Sequence, residues 1–319
     1  MVTRRPTSTD VARAAGVSRA TVSYVLNETP GQTISASVRQ RVLEEAARVG
    51  YVRNPQARAL ATGQSHIILA LLPEWPVEYL LRELLDEMSL ALDEAGYSLV
   101  TAKPYASGRT APLWESLRPD VVVPIEPIDD RRAETIRRSG AQLLMPDNAQ
   151  RAAFDIGPEL QTTHLLDLGH TAIAYASTTV RGMDAMDADR MRRSQEVAAL
   201  ASISFTTAPV DHTTAQEQVN AWTRSGVSGV VAFNDDTAAQ VLGAALRNGL
   251  RVPDDLAVIG HDDSPIATMT FPSLSSVRVD VSGRGRYFAE RVLAAARNEP
   301  LPKEAPPGVR AHLVRREST

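Results

Sequence analysis

Thr7-Ser8-Thr9-Asp10-Val11-Ala12-Arg13-Ala14-Ala15-Gly16-Val17-Ser18-Arg19-Ala20-Thr21-Val22-Ser23-Tyr24-Val25-Leu26-Asn27 is the stretch that decides the N-terminal fold. Thr7 to Asp10 fits a capping box, the threonine hydroxyl covering a free backbone N–H while the aspartate reaches back. Val11, Ala12, Ala14 and Ala15 follow, and Gly16 breaks the run. Ser18 caps a second helix with Val22, Val25 and Leu26 on its buried side, and Asn27 ends it. Further out, Ser35 caps a third helix, in which Val38, Val42, Leu43, Ala46 and Val49 keep helical spacing up to Gly50. Two short helices joined by Ala15-Gly16-Val17 and braced by a third make a helix-turn-helix plan.

Beyond this head, Asn54-Pro55 is a good helix start and Gly63 a good stop, with about two turns between them. An isolated helix that short is marginal in water and needs something to hold it. From residue 66 the pattern changes. Apolar strands read at Ile67–Leu72, Ser98–Ala102, Val121–Ile125, Gln142–Met145, Ala172–Ala176, Gly229–Phe233 and Leu256–Gly260, with helical segments between them. The clearest helical face carries Val77, Leu80, Leu81, Leu84, Leu85, Met88, Leu92 and Ala95. Strand–helix alternation implies parallel sheets with right-handed crossovers, and this rhythm fits either one barrel or two doubly wound lobes.

Composition narrows the class. The chain of 319 residues is 43% hydrophobic and 23% charged, an ordinary globular balance with ample material for a core. It has no cysteine, which excludes a disulfide scaffold, a thiolate zinc site and a cysteine nucleophile. The longest strongly apolar run, Ile67–Leu72, stops at Pro73, far short of a membrane span. Arg4 and Arg5 have no apolar stretch behind them, so a secretory signal is not expected and a cytoplasmic location is. The net charge of −4 divides unevenly: nine arginines and four acids give residues 1–60 a balance of +5, and the remainder carries −9. A basic head on an acidic body suggests a head that meets a polyanion.

The head resembles, nearly position for position, the DNA-binding head of the lactose-repressor (LacI/GalR) family, through Thr7-x-x-Asp10-Val11-Ala12-x-x-Ala15-Gly16-Val17-Ser18-x-x-Thr21-Val22-Ser23-x-Val25-Leu26-Asn27. Gly50-Tyr51-x-x-Asn54-Pro55-x-Ala57-Arg58-x-Leu60 looks like that family's hinge helix. The resemblance continues at Leu168-Gly169-His170, Phe233-Asn234-Asp235, Gly249 to Asp255, Val258 to Asp263, and Pro272-x-Leu274-Ser275-Ser276-Val277. The implied architecture is a small all-α helix-turn-helix head plus an α/β two-lobe, periplasmic-binding-protein-like core with parallel doubly wound sheets. Residues 1–50 would be the DNA-binding domain, 51–65 the hinge helix and linker, and 66–319 the effector-binding and dimerisation core. Within that core, lobe one is expected at about 66–149 and 281–305, and lobe two at about 150–280 and 306–319.

The implied function is a transcriptional regulator, most readily a repressor, binding a palindromic double-stranded operator as a homodimer under control of a small, sugar-like effector. The second helix is the one such folds place in the major groove. In its first turn Arg19 is the long donor, suited to guanine, and Ala20 offers only apolar contact, for instance to a thymine methyl. Ser18, Thr21, Ser23 and Asn27 suit phosphates. Thr7, Asn54 and Ala57 complete the expected DNA set, together with Tyr24, which stands where many family members carry arginine. In the family a hinge leucine wedges into the central base step of the minor groove. Leu60 matches it, and Arg58 would lie near the phosphates or the groove floor.

For the body, ligands of open parallel sheets bind at the carboxyl ends of strands, where Asn234-Asp235 and Asp262 fall. The resemblance gives these positions hydrogen bonds to effector hydroxyls and aligns Arg190 with an effector-binding arginine, although Arg193 stands where the family has glycine. Asp and Arg in a cleft suit polyols. The loop after the first strand is shortened to Pro73-Glu74-Trp75-Pro76-Val77, and Trp75 is read either as stacking on a sugar or base face at the pocket edge or as a partly exposed packing residue. His261 replaces the family's aromatic residue. No enzyme signature is present: there is no Gly-x-Ser-x-Gly elbow, His-Glu-x-x-His helix or phosphate loop, and no cofactor or metal is called for. Asp184, Asp187 and Asp189 read as a solvated acidic loop, and Gly283-Arg284-Gly285 as a helix start. The alternatives are an activator or effector-independent regulator of the same fold, and, further off, a sugar-binding transport protein or an enzyme. The chain ends at Thr319 without a heptad extension, which favours a dimer over a tetramer.

Overall fold

The computed structural model describes residues 6–26, 31–51, 63–103, 111–146, 157–302 and 308–319. Asn27 and the hinge positions Asn54, Ala57, Arg58 and Leu60 lie outside the described residues. The chain separates into two compact units, Met1–Ser65 and His66–Thr319.

The first unit holds α1 (Ser8–Ala15), α2 (Arg19–Leu26) and α3 (Ala36–Arg48). Asp10 accepts the Thr7 backbone N–H at 2.8 Å and the Thr7 hydroxyl at 2.7 Å, which fixes the entry to α1. Gly16 ends α1 at φ 65°, a left-handed conformation that costs glycine no steric penalty. Ser18 Oγ then accepts the Thr21 N–H at 3.0 Å and starts α2. Val11, Ala12, Ala15, Val22, Val25, Leu26, Val42 and Ala46 form the core of the three helices. Leu43, which shares the apolar helical spacing, is 43% exposed, because the inward stripe of α3 passes through Val42 and Ala46.

The second unit contains two sheets. The first has the order β2-β1-β3-β4, all parallel, formed by β1 (Ile67–Leu71), β2 (Ser98–Ala102), β3 (Val121–Pro124) and β4 (Gln142–Leu143). Ile68 turns to one face, against α4 (Tyr79–Glu94) and α12 (Arg284–Ala296). Leu69 and Leu71 turn to the other, with Trp114 on α5 (Leu113–Leu117) and Ile136 on α6 (Asp130–Arg138). With helices on both faces, such a strand reads as an unbroken apolar run. Gly285 lets α12 touch α4, since a Cβ there would lie 2.5 Å from the Leu84 carbonyl oxygen. Glu87 of α4 accepts the N–H groups of Gly283 and Gly285 at 2.8 and 2.9 Å, so the Gly283-Arg284-Gly285 helix start is held from α4.

The second sheet has the order β10-β9-β8-β7-β5-β6. Its strands are β5 (Ala172–Thr178), β6 (Ser204–Val210), β7 (Gly229–Ala232), β8 (Ala257–His261), β9 (Ser275–Asp280) and β10 (Arg310–Val314), all parallel except the edge strand β10. On one face Leu165 of α7 (Pro158–Asp167) and Met191 of α8 (Asp184–Leu200) join Ile173, Tyr175, Val231 and Ile259. On the other, Val219 and Trp222 of α9 (Ala215–Arg224) and Val241 of α10 (Asp235–Arg247) cover Ala174, Val230 and Val258. A short α11 (Ile266–Met269) precedes β9. Two doubly wound parallel-sheet lobes, rather than one barrel, make up this unit. Asp184, Asp187 and Asp189 are a correction to the sequence reading: they lie in the opening turns of α8, where acids suit the positive end of the helix, not in a loop.

Candidate functional site

The body's polar residues meet at the carboxyl ends of β7 and β8. Asn234 follows β7 and is the N-cap of α10, its Oδ1 accepting the Thr237 N–H at 2.9 Å. Asp235, 1% exposed, accepts the Ser264 N–H at 2.6 Å and the Ser276 hydroxyl at 2.6 Å. Its carboxylate presses on Gly260, where a Cβ would overlap Asp235 Oδ1 and lie 2.9 Å from Leu274. Gln161 of α7 keeps the two strand ends level, donating to the carbonyls of Ala232 at 2.9 Å and Gly260 at 2.8 Å.

Asp262 follows β8 at φ 91° and is buried. Its Oδ1 lies 2.6 Å from His261 Nδ1 and 3.6 Å from an Arg190 terminal nitrogen. Arg190 reaches in from α8, donates to the Phe233 carbonyl at 2.7 Å and lies over the Phe233 ring at 4.7 Å. Burial alone would raise the Asp262 pKa, but the charges of His261 and Arg190 and their hydrogen bonds outweigh it and hold the pKa below the ordinary value.

Lobe one contributes Glu78, whose Oε2 accepts from Asn234 Nδ2 at 2.9 Å. Burial pushes Glu78 up to about 7; the Asn234 bond and Arg190 oppose this, and the Asp262 and Asp236 charges add to it. Asp235 also rises to about 7, again mainly through burial, with Asp262 adding and the Ser276 and Ser264 bonds opposing. Glu78 escaped the sequence reading. The one local signal is that it stands at the N-cap of α4, a place glutamate fills poorly, and makes no side-chain cap bond there.

Trp75 takes the packing alternative. It is only 6% exposed and belongs to the apolar cluster of Leu81, Tyr175, Met183 and Phe233, not to a pocket edge. Its indole N–H donates to Glu126 at 2.9 Å, and Lys103 holds its carbonyl at 3.0 Å. The shortened loop drives the ring inward against Gly182, where a Cβ would lie 3.3 Å from the indole.

In the head, α2 buries Val22, Val25 and Leu26 and turns Arg19, Ala20 and Tyr24 outward. Ser18 is exposed at its start, and its hydroxyl lies 2.9 Å from that of Thr21, which is half-buried like Ser23. Thr7 is exposed at the start of α1.

Residues 7–54 match the bacterial regulatory proteins of the lacI family, and residues 162–319 match the periplasmic binding protein-like domain. The transcriptional regulator MalR of Streptomyces coelicolor is 31% identical to this chain, over 92% of the chain and 91% of the relative. The chain belongs to the LacI family. It is therefore a DNA-binding transcriptional regulator. Among solved LacI-family structures, the lac repressor dimer bound to operator and the anti-inducer ONPF shares the fold with a TM-score of 0.76 at 23% identity, over 99% of both chains. The complex of the regulator CelR with cellobiose gives a TM-score of 0.62 at 22% identity, over 99% of this chain and 100% of the other. Among the described residues no helix is long and apolar enough to cross a membrane, and no group of His, Asp or Glu could hold a metal ion.

Proposed function

We propose that this regulator represses transcription as a homodimer on a palindromic operator and is released or tightened by a small polyol bound between its two lobes. The observation that carries the effector reading is the buried set of Arg190, Asn234, Asp235 and Asp262 at the ends of β7 and β8, joined by Glu78 from the other lobe. Buried polar groups of this number are costly as mere packing, and their bracket of donors and acceptors suits vicinal hydroxyls. The CelR structure holds a sugar in the same fold, which supports the reading.

The outward face of α2 enters the major groove, with Arg19 on a base edge, Ala20 and Tyr24 beside it, and Thr7, Ser18, Thr21, Ser23 and Asn27 on phosphates. Asn54, Ala57, Arg58 and Leu60 supply the hinge, with Leu60 as the minor-groove wedge. A second copy of the chain covers Met269 and Phe271, which are 78% and 84% exposed at α11 and just beyond it. The effector acts through its differential affinity for two lobe arrangements, commonly ~1–3 kcal/mol of coupling.

The test is a thermal-shift screen of sugars, sugar derivatives, nucleosides and amino acids, followed by fluorescence anisotropy on operator DNA. A ligand at 100 times its dissociation constant adds ~2.7 kcal/mol to the unit it binds. A ligand that stabilises the protein, alters operator affinity and loses both effects in Asp262→Ala supports the proposal. Operator binding indifferent to every ligand would favour the effector-independent alternative.

A further inference from the structure

The charges around the cleft decide which polyols it admits, given the effector reading above, on which this inference rests. Arg190 is committed to Asp262 at 3.6 Å and to the Phe233 carbonyl at 2.7 Å, and His261 lies against the same carboxylate at 2.6 Å. The remaining acids are held by neutral donors. Asn234 donates to Glu78, Ser264 and Ser276 to Asp235, and the hydroxyls of Tyr175 and Ser177 to Asp187, one turn before Arg190 on α8. Among the described residues, Glu78, Asp187, Asp235 and Asp262 thus gather with Arg190 and His261, and the Asp236 charge adds to that of the acids. Charge interactions here act through protein rather than water and are screened little by salt.

The four acids are not equally placed to meet a ligand. Asp262 is paired, Asp235 is 1% exposed with both oxygens engaged, and Asp187 is tied to β5 by Tyr175 and Ser177. Glu78 is only half-buried and comes from the opposite lobe. Its Oε2 takes the Asn234 amide, and among the described residues nothing donates to its Oε1.

We propose that the cleft ranks polyols by charge, an amine-bearing sugar above its neutral parent and the parent above the matching acid or phosphate, with Glu78 as the specificity-determining residue. An ammonium group gains a carboxylate partner in a dry setting, whereas a carboxylate or phosphate adds a like charge to a site already rich in them. Glu78, raised to about 7 by burial, ionises more readily beside a cation and is pushed further towards its protonated form beside an anion.

The experiment titrates the full chain at fixed pH and ionic strength with glucose, galactose and mannose, each as the neutral sugar, the 2-amino sugar, the aldonic acid and the 6-phosphate. Affinity is read by calorimetry. Within any scaffold that binds, the amine should bind about tenfold tighter than the parent, and the acid and phosphate about tenfold weaker or worse. Glu78→Gln should bring amine and parent together, and Glu78→Asp should keep them apart; operator binding by each variant reports that it is folded. An acid or phosphate that outbinds its parent, or an amine preference unchanged in Glu78→Gln, overturns the charge ranking and leaves the effector reading standing. No binding by any form of any scaffold, from protein that still binds operator, overturns a sugar effector, and the ranking falls with it.

Discussion

Arg190 and Asp262 test whether the buried cluster works as a coupled unit. Replacing Arg190 with Met leaves the Asp262 carboxylate buried with His261 as its remaining charged partner among the described residues and takes a charge-assisted donor from the Phe233 carbonyl. Breaking a buried pair from one side costs ~3–5 kcal/mol, because the surviving charge is uncompensated. For a unit of this size each kcal/mol moves the melting temperature by ~2–4 °C, so Arg190→Met should lower it by about 10 °C. Asp262→Asn should cost a similar amount from the other side. The double variant removes both charges and should cost ~2–3 kcal/mol less than the sum of the single ones. Urea unfolding followed by tryptophan fluorescence is the assay, since Trp75, Trp114 and Trp222 all lie in the second unit and report it alone. The pH dependence has a definite sign. The Asp262 pKa is depressed in the folded state, so its stabilisation is present above the ordinary carboxylate pKa and is lost as pH falls through the folded value. Additive single-variant costs at neutral pH would refute the coupling.

Other outcomes follow from the same geometry. Asp235 is raised from 3.8 to about 7, so its share of stability is lost as pH climbs from about 4 to about 7; Asp235→Asn, which keeps the raised Glu78, should lose less than wild type and gain up to ~4 kcal/mol on it across that window, and a flat difference would be decisive against it. Gly260→Ala forces a Cβ against Asp235 Oδ1 and Leu274 and should cost ~1–3 kcal/mol in unfolding experiments; an unchanged midpoint would mean that the strand end yields freely. Arg19→Ala should cost ~1–3 kcal/mol on operator and relax one base-pair preference, whereas equal loss on scrambled duplex would make Arg19 a phosphate contact. Phe271→Asp should give monomers in sedimentation at micromolar protein, and a dimer as tight as wild type would exclude this patch from the interface.

The head was legible almost in full because its signals are local. Caps at Ser18 and Ser35, the break at Gly16 and the apolar stripes all act within one or two turns. In the body the strand–helix rhythm is equally local and placed most central strands, but rhythm does not say which strand pairs with which. The rhythm alone left barrel and two-lobe readings open; the family resemblance pointed to two lobes, and the two sheet orders, which depend on partners far apart in sequence, show them. The strands missed have weak patterns. Ser204–Val210 alternates half-exposed residues and carries Pro209, tolerable because β6 is an edge, while β9 opens on Ser275 and Ser276 instead of an apolar run.

The cleft shows the same limit in its chemistry. Strand-end logic located Asn234, Asp235 and Asp262, but their partners come from elsewhere: Ser276 is 41 residues from Asp235, and Glu78 is 156 residues from Asn234. That last bond bears on mechanism. Asn234 spends its oxygen capping α10 and its amide on Glu78, so one side chain ties a helix of the second lobe to the first. A polyol that takes the Asn234 amide must displace Glu78, and one that hydrogen-bonds both must hold the lobes at a new separation. In either case ligand contacts differ between lobe arrangements, which is the differential free energy any ligand-driven shift requires. An asparagine confined to capping, with its amide in solvent, would give a ligand no such purchase. On the effector reading proposed above, the long-range bond that the local sequence pattern conceals is thus the one through which ligand binding would be converted into lobe movement.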